Sequence, residues 1–304
     1  MNELRVTMLG PFDLSAHGGG AGGSVEPLVR KAQYLLALVL LAPGRTLRRD
    51  LAAATLWPEA GPDTSRRAIR QALWRLHQAT DGPERAGGRL LVADGDVIHV
   101  NPDRPLWIDT VTLTRAAREA ETGAPADERV LRRLARAAEL YRGPFLESCH
   151  DEWCLAYRAR LEDRCLTLLD ALSHGYERLG DGAAATAWAH RLLDVEPAHE
   201  RSHRRLMRLY YDGGDRTRAL RQLAECRLVL RRELDVTPSA QTEALGAAIR
   251  ADRGSVTRPP DGDRVLAERA LGGTEPLAGP LEGFRSELAA LRASIEAIGA
   301  RLGR

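Results

Sequence analysis

The spacing of hydrophobic residues changes along this chain, and each change marks a new kind of element. Near the start they alternate with polar residues, as in Leu4, Val6 and Met8. A Gly10-Pro11 turn leads into Phe12-Asp13-Leu14, so residues 4–29 read as short strands, with the glycines of 18–23 as a loop. A first helix is predicted from about Arg30 to Ala42 and ends at Pro43-Gly44. A second is predicted from near Leu47 to Leu56-Trp57, before Pro58. The stretch Trp57–Asp63 holds two prolines and reads as a loop. A third helix runs from there to Thr80, with Asp63, Thr64 or Ser65 as its cap.

The third helix carries the strongest functional signal. Ala68, Ile69, Ala72, Leu73 and Leu76 recur at helical spacing and mark one buried face. Arg66, Arg67, Arg70, Gln71, Trp74, Arg75 and Gln78 fall outside that stripe, and no acid lies between Thr64 and Thr80. Arginine reads guanine or clamps phosphate, and glutamine reads adenine, so such a face suits the DNA major groove. The bland alternative is a surface helix with solvated arginines. The segment after the helix favours DNA. Arg89 to Asn101 is two strand-like runs around an Asp94-Gly95 turn, a hairpin signature. Helix then hairpin is the order of a winged helix-turn-helix, and residues 1–108 are assigned to it.

After Trp107-Ile108-Asp109 the pattern is helical only. Helices are predicted near 110–121, 127–141, 151–180, 183–195, 199–212, 216–233 and 239–250. Tyr176, Gly180, Asp181 and Ala185 recur as Tyr210, Gly214, Asp215 and Ala219, an offset of 34, and Leu172 matches Leu206. That is the tetratricopeptide period, in which each unit is a helix pair. Residues 109–252 are therefore predicted to be an all-α, tetratricopeptide-like repeat domain, whose concave face would hold a protein or peptide. Residues 253–280 read as a flexible linker. In residues 281–304, Leu281, Phe284, Leu288, Leu291, Ile295, Ile298 and Leu302 form a heptad seam. This coiled-coil helix either dimerises, with Glu287 and Arg292 pairing across it, or docks on its own chain. The predicted fold is mainly α with small β.

Charge and composition narrow the chemistry. A net charge of +2 gives no whole-protein basic field, so nucleic-acid contacts must come from a local patch. Lys31 is the one lysine and has no glycine loop before it, which excludes a P-loop. Neither H-E-x-x-H nor G-x-S-x-G occurs. Cys149, His150 and Cys154 form one weak metal candidate, and His199 with His203 another. Ordinary packing or capping is the stronger reading of both. No signal peptide or membrane-length apolar run is read, and the cysteines Cys149, Cys154, Cys165 and Cys226 are expected to be reduced thiols. The expectation is a cytoplasmic, nucleoid-associated protein with no enzymatic activity, no cofactor and no metal.

Several phrases of the chain resemble the actinobacterial antibiotic regulatory protein (SARP) family of transcription activators. They are Leu4–Phe12, Arg30–Leu36, Leu51–Pro58, Ile69–Leu76, Tyr141-Arg-Gly-Pro-Phe-Leu146 and Leu230–Ser239. The last two are the most specific. Such proteins join an OmpR-type winged helix to a bacterial transcriptional activator domain. The resemblance implies binding to direct repeats near promoters of secondary-metabolite (antibiotic) biosynthesis genes, and recruitment of RNA polymerase. Arg66, Arg67, Arg70, Gln71 and Trp74 would face the major groove, with Thr64 beside them. Arg75 would serve phosphate or helix packing. The hairpin, with Arg89 and His99, would lie along the minor groove. Arg45, Thr46 and Arg48, beginning the second helix, would touch the backbone. Glu59 and Asp63 would meet a basic surface of the polymerase.

Other classes remain open from residues alone. One is a tetratricopeptide-like interaction regulator, which would bind partners insensitively to salt and prefer no DNA. Another is a repressor or ligand-gated regulator, with an effector in the helical concavity.

Overall fold

The computed structural model describes residues 3–17, 27–80, 88–123 and 127–251. The linker at 253–280, the heptad seam at 281–302 and the glycines of 18–23 lie outside them. The described chain divides into two units. One comprises residues up to 108 together with Phe145–Tyr157; the other comprises Asp109–Pro144 and the chain from Arg158 onward. The Phe145–Tyr157 segment, read from sequence as part of the helical domain, groups by packing with the first unit.

In the first unit, β1 (Glu3–Thr7) pairs antiparallel with β2 (Asp13–His17) and parallel with β6 (Leu106–Ile108). Leu4 and Val6 of β1 are buried, as their alternation requires. The chain beyond β1 continues the pairing. Leu9 bridges Phe145, and the Leu146 N–H donates to the Met8 carbonyl at 2.8 Å. Phe145, Trp153 and Tyr157 pack edge-on or tilted at 6.1–6.4 Å between centroids, and Tyr34 joins Trp153 at 6.1 Å. The Gly-Pro-Phe-Leu phrase thus supplies an aromatic plug.

Helix α1 (Arg30–Leu41) buries nine of its twelve residues and packs on α2 (Arg49–Leu56) and α3 (Pro62–Thr80). A second sheet has the order β3 (Thr46–Arg48), β5 (Val97–Val100), β4 (Leu91–Asp94), all antiparallel. Strand β3 corrects the sequence reading. Arg45, Thr46 and Arg48 do not begin a helix; Arg45 closes a 3-10 turn and the other two flank the buried Leu47 in a strand. The cause is non-local. Gly44 and Arg45 adopt left-handed backbone (φ 59° and 54°), which swings the chain into pairing range of the hairpin. The Arg49 N–H then donates to the Asp96 carbonyl at 2.8 Å, so the hairpin turn satisfies a donor at the start of α2.

The second unit is entirely helical among the described residues: α4 (Asp109–Glu121), α5 (Glu128–Ala138), α6 (Glu152–Arg178, from Arg158 onward), α7 (Gly182–Val195), α8 (Glu200–Asp212), α9 (Arg216–Leu234) and α10 (Ala240–Arg250). The 34-residue repeat has the same geometry twice. Gly180 and Gly214 sit at φ 79° and 81°. Asp181 and Asp215 then cap the next helix, accepting from Ala184 N and Arg218 N at 2.9 Å. Ala185 and Ala219 are fully buried where the paired helices meet, as are Leu172 and Leu206. Asp235 ends α9 in left-handed backbone, and Ser239 opens α10. Glu200 fixes this corner, accepting from the Ser239 N–H at 2.9 Å and from the hydroxyls of Ser239 and Thr242. That explains the Leu230–Ser239 phrase as a helix-to-helix corner.

Candidate nucleic-acid interface

Helix α3 starts two residues earlier than its composition suggests. Pro62 takes the first helical position, where its missing N–H costs nothing. Asp63 and Thr64 are therefore helical rather than loop or cap, and the Ser65 hydroxyl donates back to the Gly61 and Pro62 carbonyls. Ser65, Ile69, Ala72, Leu73, Leu76 and Ala79 form the buried side. Burying each Leu or Ile contributes roughly 1.5–3 kcal/mol, enough to fix which face points outward.

The outward face holds Asp63, Thr64, Arg66, Arg67, Arg70, Gln71, Trp74, Arg75 and Gln78, all exposed. Trp74 is 55% exposed, far above what a core tryptophan would show. The Arg75 guanidinium lies 5.5 Å from the Trp74 ring centroid. Arg66 pairs with Asp63 at 3.4 Å, an exposed contact worth little in water. Among the described residues no acid pairs with Arg67 or Arg70, so those two guanidinium groups are available to an outside anion.

The hairpin forms, but its two-residue turn is Gly95-Asp96 rather than Asp94-Gly95, because Asp94 pairs with Val97 as the last residue of β4. Its sheet aligns Thr46 with His99 and His99 with Val92; one row on, Arg48 stands opposite Val97 and Val97 opposite Asp94. Thr46, Arg48 and His99 thus share the outer face of one sheet, although Arg48 is engaged with Asp50 at 2.7 Å. Arg89 lies at the base of the hairpin, a whole strand away from the turn. The tip carries Asp94 and Asp96, which would repel phosphate. Glu59 and Asp63 are both exposed, Glu59 in the short turn before α3 and Asp63 in its first turn. There the carboxylate of Asp63 also suits the positive helix end.

Two residues that composition did not single out join this region together. The His77 ring donates to the Leu91 carbonyl at 3.0 Å, linking α3 to β4. Arg104 donates to Gly88 and Thr80. No local signal marks either one; Arg104 sits in a Pro-Asp-Arg-Pro stretch that reads as plain loop.

Neither metal candidate assembles. Cys149 and Cys154 are buried while His150 is exposed. His203 donates to the Pro197 carbonyl at 2.9 Å and accepts from Gln222 at 2.7 Å, which engages both ring nitrogens. His199 caps α8 through Ser202. No group of three or more His, Cys, Asp or Glu among the described residues is placed to hold a metal. No helix among them is long and apolar enough to cross a membrane.

The comparisons with known proteins agree with this architecture. Residues 108–250 match the family model of the bacterial transcriptional activator domain. The chain is 29% identical to the regulatory protein DnrI of Streptomyces peucetius over 272 residues, covering 83% of this chain and 94% of that protein. It is also 29% identical to the transcriptional regulator RedD of Streptomyces coelicolor, covering 78% of this chain and 67% of that one. The chain thus carries a bacterial transcriptional activator domain and resembles SARP-type transcriptional activators. Its fold is that of the Mycobacterium tuberculosis protein EmbR, solved in complex with a low-affinity phosphopeptide. The two superpose with a TM-score of 0.64 at 21% identity, over 95% of this chain and 72% of that one.

Proposed function

We propose that this chain, like the SARP-type regulators it resembles, is a sequence-specific DNA-binding activator that binds direct repeats near promoters and recruits RNA polymerase, with a secondary-metabolite gene cluster as its target. The observation that carries this reading is the outer face of α3. Arg67 and Arg70 stand exposed beside Gln71 and Trp74, while the opposite face is locked into the core. Arginine bidentate to guanine and glutamine bidentate to adenine are the direct-readout pairings such a face supplies. Thr46 shares the outer face of the wing sheet with His99 and would touch the backbone, while His99 and Arg89 would lie along the minor groove. Arg45, Arg48, Arg66 and Arg75 add positive charge around that face, and Thr64 adds a hydroxyl. Glu59 and Asp63 offer carboxylates to a basic surface of the polymerase. In the same reading the protein is cytoplasmic, works at the nucleoid and has no enzymatic activity.

Self-association would hold two copies together on a direct repeat. The heptad seam from Leu281 to Leu302 is the sequence feature that would supply it. Sedimentation of the full chain against a chain ending at Asp252 separates the two roles: loss of the dimer on truncation supports the seam as a dimer contact, and an unchanged dimer assigns that work to the helical repeats.

The reading as a whole is tested by selecting duplexes from a random pool with the full chain. Enrichment of a direct repeat with half-sites about one helical turn apart supports it. Enrichment of no motif overturns it and moves the function to the helical repeats.

A further inference from the structure

The connection between α3 and β4 runs from Thr80 to Gly88, and one side chain holds both of its ends. Arg104 is 4% exposed, in the chain between the wing and β6. Its Nη1 donates to the Gly88 carbonyl at 2.6 Å and its Nη2 to the Thr80 carbonyl at 2.8 Å. Thr80 is the last residue of α3 and fully buried. Its carbonyl belongs to the negative end of the helix, where a cation is favoured and an unsatisfied acceptor is costly. Gly88 opens the stretch that becomes β4. A planar guanidinium with diverging N–H groups bridges two carbonyls in one fixed geometry; an ammonium does not.

The surroundings of Arg104 are held from other directions too. Its own N–H donates to the Asn101 carbonyl at 3.2 Å, and the Asn101 N–H donates to Leu90 at 2.9 Å. Next to it, the Pro105 carbonyl accepts from Leu4 N at 3.0 Å, where β1 meets β6. Arg104 is thus fixed at the base of the wing and reaches back to the end of the helix that carries Arg67 and Arg70. The two carbonyls that it bridges lie at the C-terminal end of α3 and just ahead of β4.

We infer that Arg104 is a positioning residue for DNA binding, which sets the wing at a fixed attitude to the reading helix by bridging Thr80 and Gly88. The inference rests on the DNA-binding reading of α3. A reader that contacts two grooves at once needs its two parts in register; loss of the bridge leaves each part folded but loosens the angle between them, which His77 and the β3–β5 pairing then hold without it. Specific affinity then falls while attraction to DNA of any sequence does not, because the latter depends on charge on the outer faces, which substitution of Arg104 leaves in place.

The test uses the full chain with Arg104→Gln and Arg104→Lys, a selected duplex, a scrambled duplex, hydroxyl-radical footprinting and amide hydrogen exchange. The expected result for both variants is at least tenfold weaker binding to the selected duplex. Binding to the scrambled duplex stays unchanged, and protection is lost on the wing side of the footprint only. Exchange quickens at the end of α3 and through the wing, with the helical unit unaffected. Wild-type affinity and footprint in both variants overturn the inference and leave the DNA-binding reading standing. A general loss of protection throughout the first unit in both variants also overturns it, because Arg104 then serves overall stability. Failure of the wild-type chain to prefer any sequence shows separately that the underlying reading is at fault, and the inference falls with it.

Discussion

Leu47 stands directly opposite Ile98 in the antiparallel pair of β3 with β5, and both are buried. This contact joins the connection between α1 and α2 to the wing, which the sequence separates by some fifty residues. Truncating either side chain leaves a cavity that a three-residue strand cannot close. Ile98→Ala and Leu47→Ala should each cost about 2–5 kcal/mol. The double variant should cost less than their sum, because the two side chains share one site. Urea unfolding of the four proteins checks this, and strict additivity would show that the pair is not coupled.

Arg67 and Arg70 are the direct test of the reading face. Each bidentate base contact is worth about 1–3 kcal/mol, so single alanine variants should lose roughly tenfold or more in affinity for the selected site. The double variant should bind it no better than unrelated duplex. Far-UV circular dichroism should stay unchanged, because both side chains are exposed. Retained affinity in the folded double variant would remove α3 from the interface.

The two glycines of the 34-residue repeat should behave alike. Gly180 and Gly214 hold φ near 80° with open space where a Cβ would stand, so alanine meets only backbone strain. Each substitution should cost about 1 kcal/mol, and the two costs should agree within error. Thermal unfolding of both variants measures it; a large cost at one site and none at the other would show that the turns are not equivalent.

Arg205 is 2% exposed and bonds Asp170 at 2.6 Å, with Glu177 at 3.4 Å on its other side. Burial by itself pushes the Asp170 carboxyl up, but Arg205 and Arg201 outweigh it and hold the group below the ordinary carboxylate value. A folded-state value below the unfolded one means that the stabilisation is complete above the ordinary carboxylate range and lost as pH falls through the depressed value. Asp170→Asn, which leaves the buried guanidinium short of a counter-charge, should cost about 3 kcal/mol at neutral pH. Its remaining stability should fall less steeply than that of the wild type on acidification below about pH 4. Parallel acid dependences in the two proteins would contradict the pairing.

The sequence makes legible those features whose interactions are local. Helices α5 to α10 could be read to within a few residues because their apolar stripes, Asp caps and glycine turns are local. The turn positions of the repeat, Gly180-Asp181 and Gly214-Asp215, were readable for the same reason. Strand β3 was not, since Thr46-Leu47-Arg48 contains a single apolar residue and becomes a strand only by pairing with Val97–His99. The outer face of α3 was legible from its stripe. The residues that fix that face to the wing, His77 and Arg104, were not, because their partners are backbone carbonyls that no composition rule identifies. The placement of Phe145–Tyr157 in the first unit is not legible either, since it depends on backbone pairing with Met8 and Gly10.

DNA reading by the outer face of α3 is open to direct measurement. The most direct measurement is the affinity of the full chain and of the Arg67→Ala/Arg70→Ala double variant for a selected duplex and a scrambled one, across a salt series. The wild-type chain should prefer the selected duplex by about a thousandfold or more, with a steep loss of affinity as salt rises. The double variant should lose that preference and show a shallower slope. An unchanged preference and slope in the double variant, or a wild-type chain indifferent to sequence, would contradict it.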